Sequence, residues 1–145
     1  MFNDVDKDAL IIFINHYSLK GCMPKKGTKR SVRLAANQIK KYLDSHPGTT
    51  ISTAALAQQY GVSRNALQEF FKDKFKQPIG QYKLNLRLTE AQKLLRAGKS
   101  IKEVTIILQY ASPSSFSNAF RNYYNISARE WLQDIKLNGS KQSNV

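Results

Sequence analysis

The chain has 145 residues, 41% of them hydrophobic, and 23 Lys and Arg against 10 Asp and Glu give it a formal net charge of +13. This length suits one compact domain or two small ones, and the charge makes a polyanion the first partner to expect. The single cysteine, Cys22, excludes an internal disulfide and a cysteine-based zinc site. The apolar run at residues 10–14 is far shorter than the roughly 18 residues of a membrane span, so we expect no membrane partner.

Residues 1–30 are predicted to form an N-terminal extension. Residues 1–23 are slightly acidic. The sequence does not decide whether residues 8–17 form a short helix or strand that pairs with a second copy of the chain. The extension ends in a basic stretch containing Pro24 and Gly27, which indicates either a flexible basic arm or a solvated linker. The cations of this stretch are Lys25, Lys26, Lys29, Arg30 and Arg33.

Residues 31–78 are predicted to hold three helices. The first runs from Ser31 to just before His46, and its inward face is predicted to be Leu34, Ala35, Ile39, Tyr42 and Leu43. The second covers residues 51–60 and is stopped by Gly61. Ser63 caps the third, whose inward stripe is Leu67, Phe70, Phe71 and Phe75.

A long linker helix, roughly residues 80–97, is predicted within residues 79–98, followed by a second subdomain at 99–136 and a flexible tail at 137–145. Ser100 with Glu103 forms a capping box, and so does Ser127 with Glu130. Ser112 followed by Pro113 is typical of another helix start. The predicted fold is all-α, with about seven helices and no strand inside residues 31–136.

One structural unit occurs twice. An offset of 49 residues aligns Ser63 with Ser112, and it also aligns three later pairs: Leu67 with Phe116, Phe71 with Phe120 and Lys72 with Arg121. A short apolar helix precedes each copy, with Leu56 and Ala57 in the first and Val104 and Thr105 in the second. The pattern predicts two helix-turn-helix subdomains.

The residue identities within the repeat are more specific than its periodicity. Its diagnostic stretches are Leu56 Ala57, Gly61 Val62 Ser63, Leu67, Phe71 Lys72, Tyr82, Arg87 Leu88, Ala91, Leu94 Leu95, Ile101, Glu103 Val104, Tyr110, Ser114, Phe116 Ser117, Ala119 Phe120 Arg121 and Glu130 Trp131. With these stretches, residues 50–132 resemble the C-terminal DNA-binding domain of AraC/XylS-type transcriptional regulators. The resemblance implies two helix-turn-helix subdomains joined by the linker helix, with recognition helices that enter successive major-groove segments of duplex DNA.

The chain departs from the family pattern at five positions. Members of the family usually have glycine where this chain has Lys76, Gln109 and Asn125, alanine at Thr105, and proline at Ala128. Asparagine tolerates a left-handed backbone best among the non-glycine residues. Asn125 is therefore the mildest of these changes. Gln109 and Thr105 lie in the turn and the helix crossing of the second subdomain, so we expect that subdomain to pack or to dock on DNA atypically.

The resemblance assigns base-reading positions to both recognition helices. They are Arg64, Asn65, Gln68 and Glu69 in the first, and Pro113, Ser114, Ser117 and Asn118 in the second. Because the second set is short, we expect it to specify fewer bases. The predicted phosphate contacts are Lys72, Lys74, Lys76, Lys83 and Arg121, while the aromatic residues Tyr82, Tyr110, Phe116, Phe120 and Trp131 are interpreted as core.

These observations predict a sequence-specific regulator of transcription that binds double-stranded DNA. We expect no enzymatic activity, no cofactor and no metal, because His16 and His46 are far apart and no catalytic motif is present. The expected location is the bacterial cytoplasm, at the nucleoid. The alternative is a helical interaction module that binds RNA polymerase or another regulator and no longer reads DNA sequence. Residues 1–23 are too few for the sensing domain found in many members of the family.

Overall fold

A computed structural model describes residues 27–139, and in this range the chain folds into seven α-helices without a strand. The helices are α1 (Lys29–Ser45), α2 (Thr53–Gln59), α3 (Arg64–Phe75), α4 (Ile79–Arg96), α5 (Ile101–Ile107), α6 (Pro113–Tyr124) and α7 (Ala128–Gly139). The predicted all-α class with about seven helices is confirmed. Predictions for residues 1–26 and 140–145 lie outside the described residues.

Helix α1 begins two residues earlier than its sequence indicated. The Ser31 backbone N–H donates to Thr28 Oγ1 at 3.1 Å, and the Ser31 hydroxyl donates to the Thr28 carbonyl at 2.7 Å. Thr28 therefore takes the capping role, and Lys29 and Arg30 belong to the helix rather than to an arm. The inward assignment of Leu34 is wrong, because it lies five residues and about 140° from the buried Ile39 and is 40% exposed.

The described residues form two compact units. The first unit contains α1 through Lys41 and the segment Ile51–Pro78 with α2 and α3. The second unit contains Tyr42–Thr50 and the chain from Ile79 onward, with α4 to α7. The connection between α1 and α2 therefore belongs to the second unit.

Aromatic rings dominate the core of the second unit. Phe116 and Phe120 are completely buried, and their ring centroids are 5.8 Å apart in an edge-to-face arrangement. Tyr110 and Trp131 are partly buried and pack against the same cluster, in contact with Phe116 and Phe120 respectively. Assigning these four aromatic residues to the core is confirmed, and α6 is fixed through two of them.

The three positions where the family usually has glycine all have a left-handed backbone. The φ angles are 61° at Lys76, 56° at Gln109 and 57° at Asn125. Lys76 and Asn125 follow the last residues of α3 and α6, and Gln109 lies in the turn after α5. The backbone demand on each position is therefore that of a glycine. Thr105 is buried, and its hydroxyl donates to the Ile101 carbonyl at 2.7 Å, so its polar group is satisfied.

Candidate nucleic-acid interface

Helix α3 presents one polar face because its other face is anchored in the core. Ser63 caps it by accepting from the Ala66 N–H at 3.4 Å, and Leu67 and Phe71 are completely buried. Residues spaced three or four apart share a helix face, so the predicted base-reading residues lie together on the outer side with Lys72. Arg64, Asn65, Glu69 and Lys72 are exposed, and Gln68 is half-buried.

The chemistry of this face suits base edges and a phosphate. Amide side chains such as Asn65 and Gln68 can bond adenine with two hydrogen bonds in the major groove, and a carboxylate such as Glu69 can accept from cytosine. Gln68 is half-buried, whereas Asn65 beside it is exposed. Lys72 lies one helical turn beyond Gln68, where its ammonium can reach the phosphate backbone of the DNA.

Helix α6 has the same arrangement as α3, a serine cap and a buried inner face, but its outer side chains are shorter. Ser112 accepts from the Ser115 N–H at 3.1 Å, Pro113 takes the first helical position, and Phe116 and Phe120 anchor the inner face. The outer face carries the exposed residues Pro113, Ser114, Asn118 and Arg121 and the half-buried Ser117. Arg121 is the one full charge in this set.

The predicted phosphate contacts do not form one group. Lys72 and Lys74 are two residues apart, about 200° around the helix, so they lie on different sides of α3. The Lys74 ammonium turns to α1, where it donates to Asn37 Oδ1 at 2.8 Å. Lys76 is exposed just past the end of α3.

Lys83 lies on α4, in the second unit, and is half-buried. Burial lowers the pKa of its ammonium, and the nearby positive charge of Arg87 lowers that pKa further. Lys83 is therefore separated from the α3 set both by unit and by environment.

Arg87 has a structural role that the sequence pattern did not indicate. Its Nη2 donates to the Thr49 carbonyl at 2.9 Å, and its guanidinium lies 5.2 Å from the centroid of the Tyr110 ring. The hydrogen bond joins residues 38 positions apart, so no local spacing could have revealed it. Arg87 fixes the Tyr42–Thr50 segment within the second unit.

Other kinds of site receive no support from residues 27–139. No group of three or more His, Cys, Asp or Glu residues in this part of the chain could hold a metal ion. His46 stacks on Tyr42 with ring centroids 4.4 Å apart, and its Nδ1 lies 2.9 Å from the Tyr42 carbonyl oxygen. Within the same residues, no helix is both long and apolar enough to span a membrane.

Two anchored recognition helices, each preceded by a short helix and a turn, define a double helix-turn-helix protein. A family model described as a helix-turn-helix domain matches residues 56–134, more than half of the chain. The chain therefore belongs to the AraC-type helix-turn-helix family.

Curated bacterial proteins are similar to most of this chain. The chain is 30% identical over 127 residues to the HTH-type transcriptional regulator ArgR of Pseudomonas aeruginosa, which covers 87% of this chain and 39% of that protein. It is 29% identical over 109 residues to the Msm operon regulatory protein of Streptococcus mutans, covering 74% of this chain and 39% of the relative. The chain thus spans about two fifths of the length of these relatives.

Solved structures share the fold. The DNA-binding domain of AdpA, solved in complex with a target DNA, superposes with a TM-score of 0.66 at 19% identity, covering 72% of this chain and 95% of that one. An AraC-type regulator from Chromobacterium violaceum has a TM-score of 0.59 at 29% identity, covering 70% and 92% of the two chains.

Proposed function

We propose that this chain binds double-stranded DNA sequence-specifically, regulates transcription and catalyses no reaction. The observation that carries the proposal is the α3 outer face, where Asn65, Gln68 and Lys72 stand in line on a helix that Leu67 and Phe71 anchor in the core. A helix of this kind fits the major groove, where amide side chains discriminate base pairs and cations neutralise phosphates. The helix-turn-helix domain matched at residues 56–134 and the regulators to which this chain is similar support the same function.

The two recognition helices divide the work in this proposal. Helix α3 reads bases through Asn65 and Gln68, and Glu69 disfavours sequences that offer no amino group to accept from. Helix α6 adds brief contacts from Ser114 and Ser117 and a phosphate contact from Arg121. The principal partner is a bacterial operator in the cytoplasm, at the nucleoid. A contact with RNA polymerase and self-association stay predictions.

Selection of bound duplexes from a random pool tests the proposal directly, because a recovered motif establishes sequence reading. The selected duplex is then titrated with salt, and each neutralised phosphate should contribute about 0.9 to the logarithmic slope. We expect a motif and a steep slope, with weaker binding to scrambled duplexes. Equal affinity for every duplex and for heparin would overturn sequence-specific binding and leave a nonspecific polyanion binder.

The interaction module that does not read DNA is not favoured. It predicts no recovered motif and an affinity for a protein partner that survives high salt. The exposed polar faces of both recognition helices argue against it, because a protein-docking face is normally enriched in aromatic and other apolar residues at its centre.

A further inference from the structure

The outer face of α1 is a row of cations on the first unit. Between residues 29 and 43 this helix has five Lys and Arg and no Asp or Glu. Arg30, Arg33, Asn37 and Lys41 follow one another at spacings of three or four residues and are exposed, opposite the buried Val32 and Ile39 sides. At 1.5 Å per residue, the row from Arg30 to Lys41 is about 16 Å long.

Lys74 of α3 joins this row instead of the base-reading face. Its ammonium donates to Asn37 and lies 5.7 Å from the centroid of the Phe75 ring. The Lys40 ammonium lies 5.8 Å from the same ring. Contacts with the ring and with Asn37 hold Lys74 in place, so binding an anion would cost it little side-chain entropy. We call Arg30, Arg33, Asn37, Lys40, Lys41 and Lys74 the α1 surface.

Most of the positive charge of the first unit lies on this surface or beside it. The described residues of that unit hold nine Lys and Arg against two acidic residues, Glu69 and Asp73. Six of the nine belong to α1 or turn toward it: Lys29, Arg30, Arg33, Lys40, Lys41 and Lys74. The base-reading face of α3 accounts for only Arg64 and Lys72. A function confined to that face leaves seven of the nine cations unused.

The position of the cations is also unfavourable for α1 itself. Lys29, Arg30 and Arg33 lie near the helix N-terminus, where positive charge opposes the helix dipole, and the first turn has no acidic residue to compensate. A bound polyanion would offset this cost.

We propose that the α1 surface binds the phosphate backbone of the operator duplex, outside the segment that α3 reads. This inference rests on the proposed DNA binding. A straight row of cations with few large apolar side chains matches a linear polyanion better than a lipid surface. Asn37 adds a side-chain amide, a group that commonly bonds phosphate oxygens. Once α3 holds the duplex, its flanking phosphates are at high effective concentration for the rest of the unit.

The test compares two duplexes, one limited to the selected motif and one extended by about ten base pairs, or one helical turn, on each side. The full chain should show a steeper salt slope on the longer duplex. The variant Arg30→Gln/Arg33→Gln should lose about 1.8 of that slope, since two phosphate contacts disappear. When salt is raised from 50 to 200 mM, affinity for the longer duplex falls in both proteins. The factor by which it falls should be about tenfold smaller for the variant than for the wild type. Both proteins should behave alike on the short one.

The matched control is Lys93→Gln/Arg129→Gln, which removes the same charge from exposed positions of the second unit. It should keep the length-dependent part of the slope. Thermal unfolding of both variants checks that glutamine, a good helix former, preserves the fold. If Arg30→Gln/Arg33→Gln retains the full gain from the longer duplex, the α1 surface does not bind flanking DNA. Sequence preference on the short duplex would still support the proposed function, so the two failures are distinguishable.

Lys74→Gln separates the two faces of α3. Loss of slope on the longer duplex alone would support the place of Lys74 in the α1 surface. Equal loss on both duplexes would assign Lys74 to the segment that α3 reads and overturn its place in the α1 surface.

Discussion

The two helix-turn-helix units share a scaffold and differ in charge. Each has a serine cap on its recognition helix and two fully buried residues, Leu67 and Phe71 or Phe116 and Phe120, on the inner face. In their described residues, the first unit holds nine Lys and Arg against two acidic residues, whereas the second, which is larger, holds nine against five. From shared packing with divergent outer residues, we propose that the first unit supplies more of the base reading and more of the phosphate binding.

The turns of the two units differ as well. Four residues separate α2 from α3, with Gly61 at a φ of 65°, whereas five separate α5 from α6, with Gln109 at a φ of 56°. The N-terminus of α5 carries a complete capping box, while Ser52 at the start of α2 has only its own hydrogen bond to the Ala55 N–H. The second helix-turn-helix thus combines a strained turn at Gln109 with a helix, α5, that is better capped than α2.

The largest expected effect tests whether the two scaffolds are equally anchored. Phe71→Ala and Phe120→Ala should each lower the free energy of unfolding by about 3 to 5 kcal/mol, because both rings are completely buried. Denaturant unfolding measures this loss, and amide exchange in α3 and α6 assigns it to a unit. Phe70→Ala, at a half-buried position, is the control and should cost less. An unchanged midpoint together with lost DNA binding would contradict the core assignment.

The next effect tests the division of base reading. Gln68→Ala should lose roughly 1 to 3 kcal/mol of discrimination at one edge of the site, because a two-bond base contact disappears. Ser117→Ala, at the equivalent position of α6, should change base preference little. Affinities for a panel of single-base operator substitutions measure both.

Lys72→Ala provides the control for that experiment. It should weaken binding to all sequences equally and reduce the salt slope by about one. A sharper loss of preference in Ser117→Ala than in Gln68→Ala would make α6 the principal reader and reverse the comparison.

Exchanging the turn residues tests the strain. Gly61→Gln should cost about 1 kcal/mol, because a side chain disfavours the left-handed backbone. A Cβ at this position meets no atom within 4 Å, so the cost comes from the backbone alone. Gln109→Gly should stabilise the second unit by a somewhat smaller amount, since glycine also raises the entropy of the unfolded chain. Thermal unfolding measures both, and destabilisation by Gln109→Gly would show that its side chain contributes more than the strain costs.

The smallest effect concerns acid. A hydrogen bond from the Ser100 backbone N–H lowers the pKa of Glu103, and hydrogen bonds from Ser127 lower the pKa of Glu130. A carboxyl whose pKa is lowered by folding stabilises the folded state above its unfolded pKa, and this contribution is lost as pH falls through the folded value. The second unit should therefore lose stability below about pH 4.5, the unperturbed value for a glutamate.

Glu103→Gln/Glu130→Gln should flatten this acid dependence when unfolding is followed against pH. The first unit provides the comparison, because α2 has Ala55 where α5 has Glu103. An unchanged acid dependence in the variant would show that other carboxyls determine it.

Local signals made much of the fold predictable. Ser100 with Glu103 and Ser127 with Glu130 form reciprocal hydrogen bonds between residues three apart, so their spacing in the sequence was sufficient. The left-handed backbone at Lys76, Gln109 and Asn125 agrees with the glycines usual in the family. The inward assignment of Leu34 failed on a local signal as well, because helical spacing alone sets it about 140° from Ile39, and it is exposed.

The site was only partly predictable, because the direction of a long side chain depends on its tertiary neighbours. Helical spacing was enough to place Asn65, Gln68 and Lys72 on one face. The direction of Lys74 depends on Asn37, which is 37 residues away. Long side chains choose among several partners, and only the packing of α1 against α3 determines which of them is within reach.

The segment Tyr42–Thr50 makes spatial order differ from chain order. A fragment cut to begin at Ile79 would contain α4 to α7 but not the Thr49 carbonyl that Arg87 binds, nor Asp44, which accepts from the Tyr82 hydroxyl. Such a truncation would weaken the second unit while seeming to remove only the first. A chain in which a flexible linker replaces residues 51–78, and so joins residues 42–50 to the start of α4, would keep the parts of the second unit together.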